Sequence, residues 1–121
     1  MARVAVLNVK DCKYYETNCD SLDDFYAHLD ADVFDIAYRK IGNVWYDIYV
    51  DDLGLCKDNP IVSAVSAEDY SPQLVGNLIF AHHDDEGETT DIYDDDMINI
   101  FKHLIIGVDA EGNMRIAVKL S

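Results

Sequence analysis

Two alternating runs meet at a tight reversal, and they constrain the fold more than any other feature of this chain. Phe34, Ile36 and Tyr38 fall on one side of an extended segment, with Asp35 and Arg39 on the other. After Ile41-Gly42-Asn43-Val44 the same period resumes, with Val44, Tyr46, Ile48 and Val50 against Trp45, Asp47 and Tyr49. A period of two on both sides of a Gly-Asn turn predicts an antiparallel hairpin, and its aromatic content suits cross-strand packing. A hairpin cannot bury a face alone, so further strands and helices must cover it.

The flanking segments supply them. Arg3 to Lys10 reads as a strand apolar on both faces, which suits a central position. Asn18 to Ser21 reads as a turn. Leu22, Phe25, Tyr26 and Leu29 then recur at helical spacing, with Asp23 and Asp24 in the first turn, predicting a helix over about residues 22–30. Asp51 to Pro60 reads as a loop with a short strand around Leu53 to Cys56. Ile61, Val62, Ala64 and Val65 add apolar mass, and Asp69 to Pro72 forms another loop. Gln73 to Ala81 reads as one strand with Gly76 marking a bulge. Met97, Ile98, Phe101, Leu104 and Ile105 define a second helix capped by Asp94 and stopped near Gly107, although Ile105, Ile106 and Val108 also fit the start of a strand. Asp109 to Asn113 is a turn before the alternating strand Met114 to Leu120. The expected fold is α+β, a mainly antiparallel sheet of about five to six strands with two short helices, and 121 residues fit one domain.

Charge narrows the partners. Twenty-four acids face nine bases, a net of −15. Such a surface repels DNA, RNA and anionic membranes and favours basic protein surfaces. The densest stretch, Asp84 to Asp96, holds Asp84, Asp85, Glu86, Glu88, Asp91, Asp94, Asp95 and Asp96 without a base. Together with Asp51 and Asp52 these are the candidate interaction residues. No run is long and apolar enough for a membrane span, the start does not read as a signal peptide, and the expected location is the cytoplasm. Three cysteines, Cys12, Cys19 and Cys56, match no zinc or redox spacing and read as reduced thiols.

Sites for chemistry are weakly marked, and no catalytic residue, metal or cofactor is assigned. His82-His83 beside Asp84, Asp85 and Glu86 offers metal-ligand types, but adjacent residues on a strand point to opposite faces. As a calcium loop with Gly87 in sixth place, the segment would put His82 first and Tyr93 twelfth, where carboxylates are required. No G-x-S-x-G, P-loop or G-x-G-x-x-G pattern occurs. A small hydrolase or metal-binding protein using His82 and nearby carboxylates stays open as an alternative. Tyr38, Trp45, Tyr46 and Tyr49 could stack bases, but Asp35, Asp47, Asp51 and Asp52 deny an RNA-binding sheet its cationic groove, so these rings read as core or protein interface. The same hairpin, exposing an apolar face, would suit a homodimer.

The order of pieces resembles the small phage and mobile-element proteins grouped as domain of unknown function 3846. The likeness runs from Val4 to Leu104. It comprises the first strand, the Ser21-Leu22-Asp23-Asp24-Phe25 helix start, the Val33 to Ile41 strand, Asn59-Pro60, Leu74-Val75-Gly76-Asn77-Leu78-Ile79-Phe80, Asp84 to Gly87, and the helix near Asp94-Asp95-Asp96. The resemblance implies a phage or prophage product working in bacterial cytoplasm and carries over no catalytic residues. In that setting an acidic accessory protein acts by protein–protein interaction, or as a nucleic-acid mimic that occupies a basic host protein.

Overall fold

The hairpin is the frame on which the chain is built. In the computed structural model, which describes residues 2–54 and 60–121, β3 (Phe34–Ile41) and β4 (Val44–Asp51) pair antiparallel along their whole length. Gly42 turns the chain with φ +61°, a left-handed conformation that glycine adopts without strain. Around this hairpin lie β1 (Ala2–Asn8), β2 (Lys13–Cys19), β7 (Leu78–His83) and β8 (Thr89–Thr90). They form a six-stranded sheet in the order β2-β1-β7-β4-β3, with β8 paired to β7, and every pairing is antiparallel. With the helices α1 (Leu22–Leu29) and α2 (Asp94–Lys102), the fold is α+β as its patterning predicts.

A second sheet was not foreseen. β5 (Val62–Ser66), β6 (Pro72–Val75), β9 (Leu104–Val108) and β10 (Met114–Leu120) form four strands in the order β6-β5-β10-β9. Its centre is a parallel pair, β10 against β5. This division corrects the reading of Gln73 to Ala81 as one strand. The chain changes sheets at Gly76, whose φ is +82° and whose N–H donates to the Ile61 carbonyl at 2.8 Å. Asn77 holds the crossing: its Oδ1 accepts the Val9 N–H at 3.0 Å, and its Nδ2 donates to the His28 carbonyl at 3.3 Å.

Other boundaries move for local reasons. Strand β2 was not expected, because an edge strand with Tyr14 and Tyr15 on opposite faces shows no apolar alternation. Helix α2 begins at Asp94 and ends at Lys102, so its N-cap is Tyr93 rather than Asp94, and Gly107 lies inside β9 instead of stopping a helix. The strand expected around Leu53 to Cys56 is not formed at Leu53 and Gly54; Cys56 lies outside the described residues. Helix α1 is fixed by Asp24, whose carboxylate accepts the N–H groups of Asp20 (2.7 Å) and Ser21 (3.3 Å). It closes on left-handed Asp30.

The large sheet is buried on both faces at its centre. One face, with Ala5, Leu7, Tyr46, Ile48, Leu78 and Phe80, packs against α2 through Ile100 and against the small sheet through Ala64, Val118 and Leu120. The other, with Val4, Val6, Tyr49 and Ile79, is covered by Phe25 and Leu29 of α1. No helix among the described residues is long and apolar enough to cross a membrane.

Candidate functional site

The end of β7 carries two adjacent histidines, and strand alternation sends them to opposite faces of the large sheet. On the α2 side, His82 Nε2 lies 3.1 Å from Asp96 Oδ2. Asp96 is buried at 8% exposure, and its Oδ1 accepts the Tyr46 hydroxyl at 2.8 Å while its Oδ2 accepts the Tyr93 N–H at 2.8 Å. Asn99 Nδ2 donates to the Tyr46 hydroxyl oxygen and to the Ile41 carbonyl, each at 3.0 Å. The imidazole of His82 stacks on the Tyr46 ring with centroids 5.0 Å apart. Burial, with the Asp96 carboxylate adding to it, pushes the Tyr46 phenol well above its ordinary range. This network ties α2 to the sheet.

The opposite face is open. His83 Nδ1 lies 2.8 Å from Oδ2 of buried Asp47. Tyr38 packs against the His83 ring at 5.5 Å and stacks on Trp45 at 5.0 Å with an interplanar angle of 21°. Trp45 is 49% exposed, Tyr38 51% and Ile36 47%, because the eight-residue α1 reaches only the other half of this face. Trp45 sits two residues before Asp47 and His83 two after Ala81, and Asp47 faces Ala81, so both rings lie at the same end of the sheet. The acidic turn begins there. Asp84 Oδ1 accepts the N–H groups of Glu86 (3.0 Å) and Glu88 (2.9 Å), closing a tight loop that leaves Asp85, Glu86 and Glu88 exposed. Lys40, opposite Trp45 in register, brings one base to the border.

The candidate acids do not form one field. Asp96 belongs to the interior. Arg3 engages two others, its N–H donating to Asp91 Oδ1 at 2.7 Å and its Nη2 to Asp94 Oδ1 at 2.6 Å, and it also pairs with Glu16. Asp84 is spent on its own turn. Asp85, Glu86, Glu88 and Asp95 remain on the surface. Asp51 is buried, with Oδ1 accepting the Leu53 N–H at 3.0 Å, while Asp52 is exposed. Asp51 is level with Asn77, seven residues from Asp84 along β7, so about 23 Å separates the two acidic groups at about 3.3 Å per residue.

The remaining reactive groups are dispersed. Among the described residues no three of His, Cys, Asp or Glu are grouped to hold a metal. His28 Nδ1 meets the Tyr15 hydroxyl at 2.8 Å, and His103 Nδ1 meets the Asn99 carbonyl at 2.7 Å. Cys12 donates to the Met114 carbonyl at 3.1 Å. Burial pushes the Cys19 thiol up to about 11. The His83–Asp47 pair escaped sequence reasoning, although an aspartate sharing a strand face with Trp45 and Tyr49 was a signal for it. Compared with known proteins, the chain matches no family model, no curated protein and no solved structure.

Proposed function

We propose that the protein acts by binding another protein, its open aromatic face and acidic turn together receiving a basic segment of the partner. The observation that carries this reading is the half-exposed Tyr38–Trp45 stack at the end of the sheet where Asp85, Glu86 and Glu88 stand free in water. Lysine and arginine match both parts. Their aliphatic stems lie on ring faces, and a cation over an aromatic ring contributes about 0.5–2 kcal/mol. The carboxylates complete the charge, and a net of −15 draws a basic surface in from a distance. We further propose, from the resemblance of its layout to domain of unknown function 3846 alone, a phage-type accessory protein of the bacterial cytoplasm. A decoy that occupies a DNA-binding host protein is one form of the same contact.

Trp45 is the single tryptophan, so its fluorescence reports directly on this face. Titration with a Lys/Arg-rich peptide should shift the emission. The shift should weaken as salt rises, shrink in the Glu86→Gln/Glu88→Gln variant, and be absent with a Glu/Asp-rich peptide. Unchanged emission together with unmoved amide resonances at Tyr38, Trp45 and His83 would rule the reading out. Where a basic host protein is the ligand, competition by duplex DNA distinguishes the decoy.

A further inference from the structure

Among the described residues β2, β3, β6 and β9 end the two strand orders, and three of them carry features that discourage pairing with another chain. β2 bears Lys13 and Glu16, β3 bears Asp35, Arg39 and Lys40, and β6 begins with Pro72. The fourth, β9, reads Leu-Ile-Ile-Gly-Val, with neither a charge nor a proline. Its outer edge meets no strand among the described residues. The backbone bonds to β10 show which groups are left over. The His103 carbonyl accepts the Lys119 N–H at 2.8 Å, and the Asp109 N–H donates to the Asn113 carbonyl at 3.0 Å. Odd-numbered residues therefore bond inward, and Leu104, Ile106 and Val108 direct their N–H and C=O groups to the open edge.

The side chains of these three residues share the sheet face that builds the core. Leu104 faces Val118, Ile106 faces Ile116 and Val108 faces Met114. Leu104 and Ile116 pack against the core, but the strip then runs past its end. Ile106 and Val108 are each 72% exposed, and Met114 is 59% exposed. An apolar edge strand with free backbone groups is a template for another strand.

We infer that β9 pairs antiparallel with β9 of a second copy about a two-fold axis through Ile106, joining the two small sheets into one of eight strands. The register then sets Ile106 against Ile106 and Leu104 against Val108 of the partner subunit, all as hydrogen-bonded pairs. That gives about six new backbone bonds, two for each facing pair. Ile106, Val108 and Met114 of both copies gather on one face. A second copy is the occupant that charge admits here: the β9–β10 hairpin, residues 103–121, holds Arg115 and Lys119 against Asp109 and Glu111, a net of zero in a chain of net −15, so two copies meet at this edge without mutual repulsion.

Sedimentation equilibrium and light scattering on the intact chain test this. The wild type should be a dimer at micromolar concentration. Ile106→Lys, an exposed substitution that sets like charges against each other at the axis, should give a folded monomer by circular dichroism. Ile36→Lys, on the aromatic face of the other sheet, should stay dimeric. Mild oxidation of Ile106→Cys should yield a 106–106 disulfide by peptide mapping, whereas Val108→Cys, whose counterpart lies four residues along the partner strand, should not cross-link to itself. A wild type that is monomeric into the high micromolar range, or an Ile106→Lys dimer, overturns the inference, as does cross-linking of Val108→Cys in place of Ile106→Cys.

Discussion

His82 and His83 are neighbours in the chain, each bonded to an aspartate, yet they serve opposite faces of one sheet under different conditions. His82 lies beneath α2, where Asp96, Tyr46, Asn99 and backbone groups satisfy one another. His83 and Asp47 lie where α1 has already ended, next to the half-exposed rings of Tyr38 and Trp45. The difference lies in the cover rather than in the pair. Both carboxylates are buried, but Asp96 is held by three partners that its loss would leave unsatisfied, whereas the His83 partner of Asp47 is 43% exposed and can exchange its bond for water.

The sharpest way to break this contrast is to remove each aspartate. Asp96→Ala strands the Tyr46 hydroxyl, the His82 imidazole and the Tyr93 N–H together, and should cost about 2–4 kcal/mol in urea unfolding. Asp95→Ala, one residue away on the exposed side of α2, should change stability by about 0.5 kcal/mol or less. Equal effects would mean that the Asp96 network holds nothing together.

Alkaline pH probes buried phenols on both faces of the sheet. The Tyr14, Tyr46 and Tyr49 phenols are all raised, chiefly by burial, so the folded chain retains protons that the unfolded chain releases near pH 10. Their contribution is complete below about pH 10 and is lost as pH rises from there toward the folded-state values. Stability should therefore fall above about pH 10, and absorbance at the phenolate band should rise together with unfolding. Tyr46→Phe should cost about 1–2 kcal/mol at neutral pH by removing the bond to Asp96, and should flatten the alkaline decline without abolishing it.

Asp47→Ala should be milder, about 1 kcal/mol, because His83 is partly in water and can hydrate when its partner is gone. The more telling result is positional. Loss of Asp47 frees the His83 ring that packs on Tyr38, so the side-chain resonances of Tyr38 should move while those of Tyr46 hold still.

Much of this arrangement was legible in the chain. Alternation across Gly42 gave the hairpin, and the same parity put Tyr38 and Phe34 on one face. The spacing of Leu22, Phe25 and Leu29 gave α1. What was hidden depended on long-range partners. Gly76 looked like a bulge because apolarity on both sides of it is the same whether the strands share a sheet or enter two. Asp96 looked like one more acid of the Asp84 to Asp96 run, a candidate for interaction, since nothing local distinguishes the carboxylate whose turn of helix faces Tyr46 and His82. The split of the acids into two groups about 23 Å apart likewise follows from strand register, not from composition.

A small effect on stability should come from Trp45→Ala, and it separates a structural role from a binding one. Trp45 is half exposed and its main ring contact is Tyr38, itself half exposed, so truncation removes one stacked pair and little buried area. A loss of about 0.5–1 kcal/mol is expected. Binding should respond far more, because the ring is proposed to lie under the cationic side chain of the partner: with Trp45→Ala the Lys/Arg-rich peptide should lose at least about tenfold in affinity by calorimetry, a change of 1.4 kcal/mol. Tyr38→Phe, which keeps the ring and drops the hydroxyl, should retain both stability and binding. If Trp45→Ala instead costs as much stability as Asp96→Ala, the aromatic face is part of the frame, and the contrast between a closed and an open side of the sheet disappears.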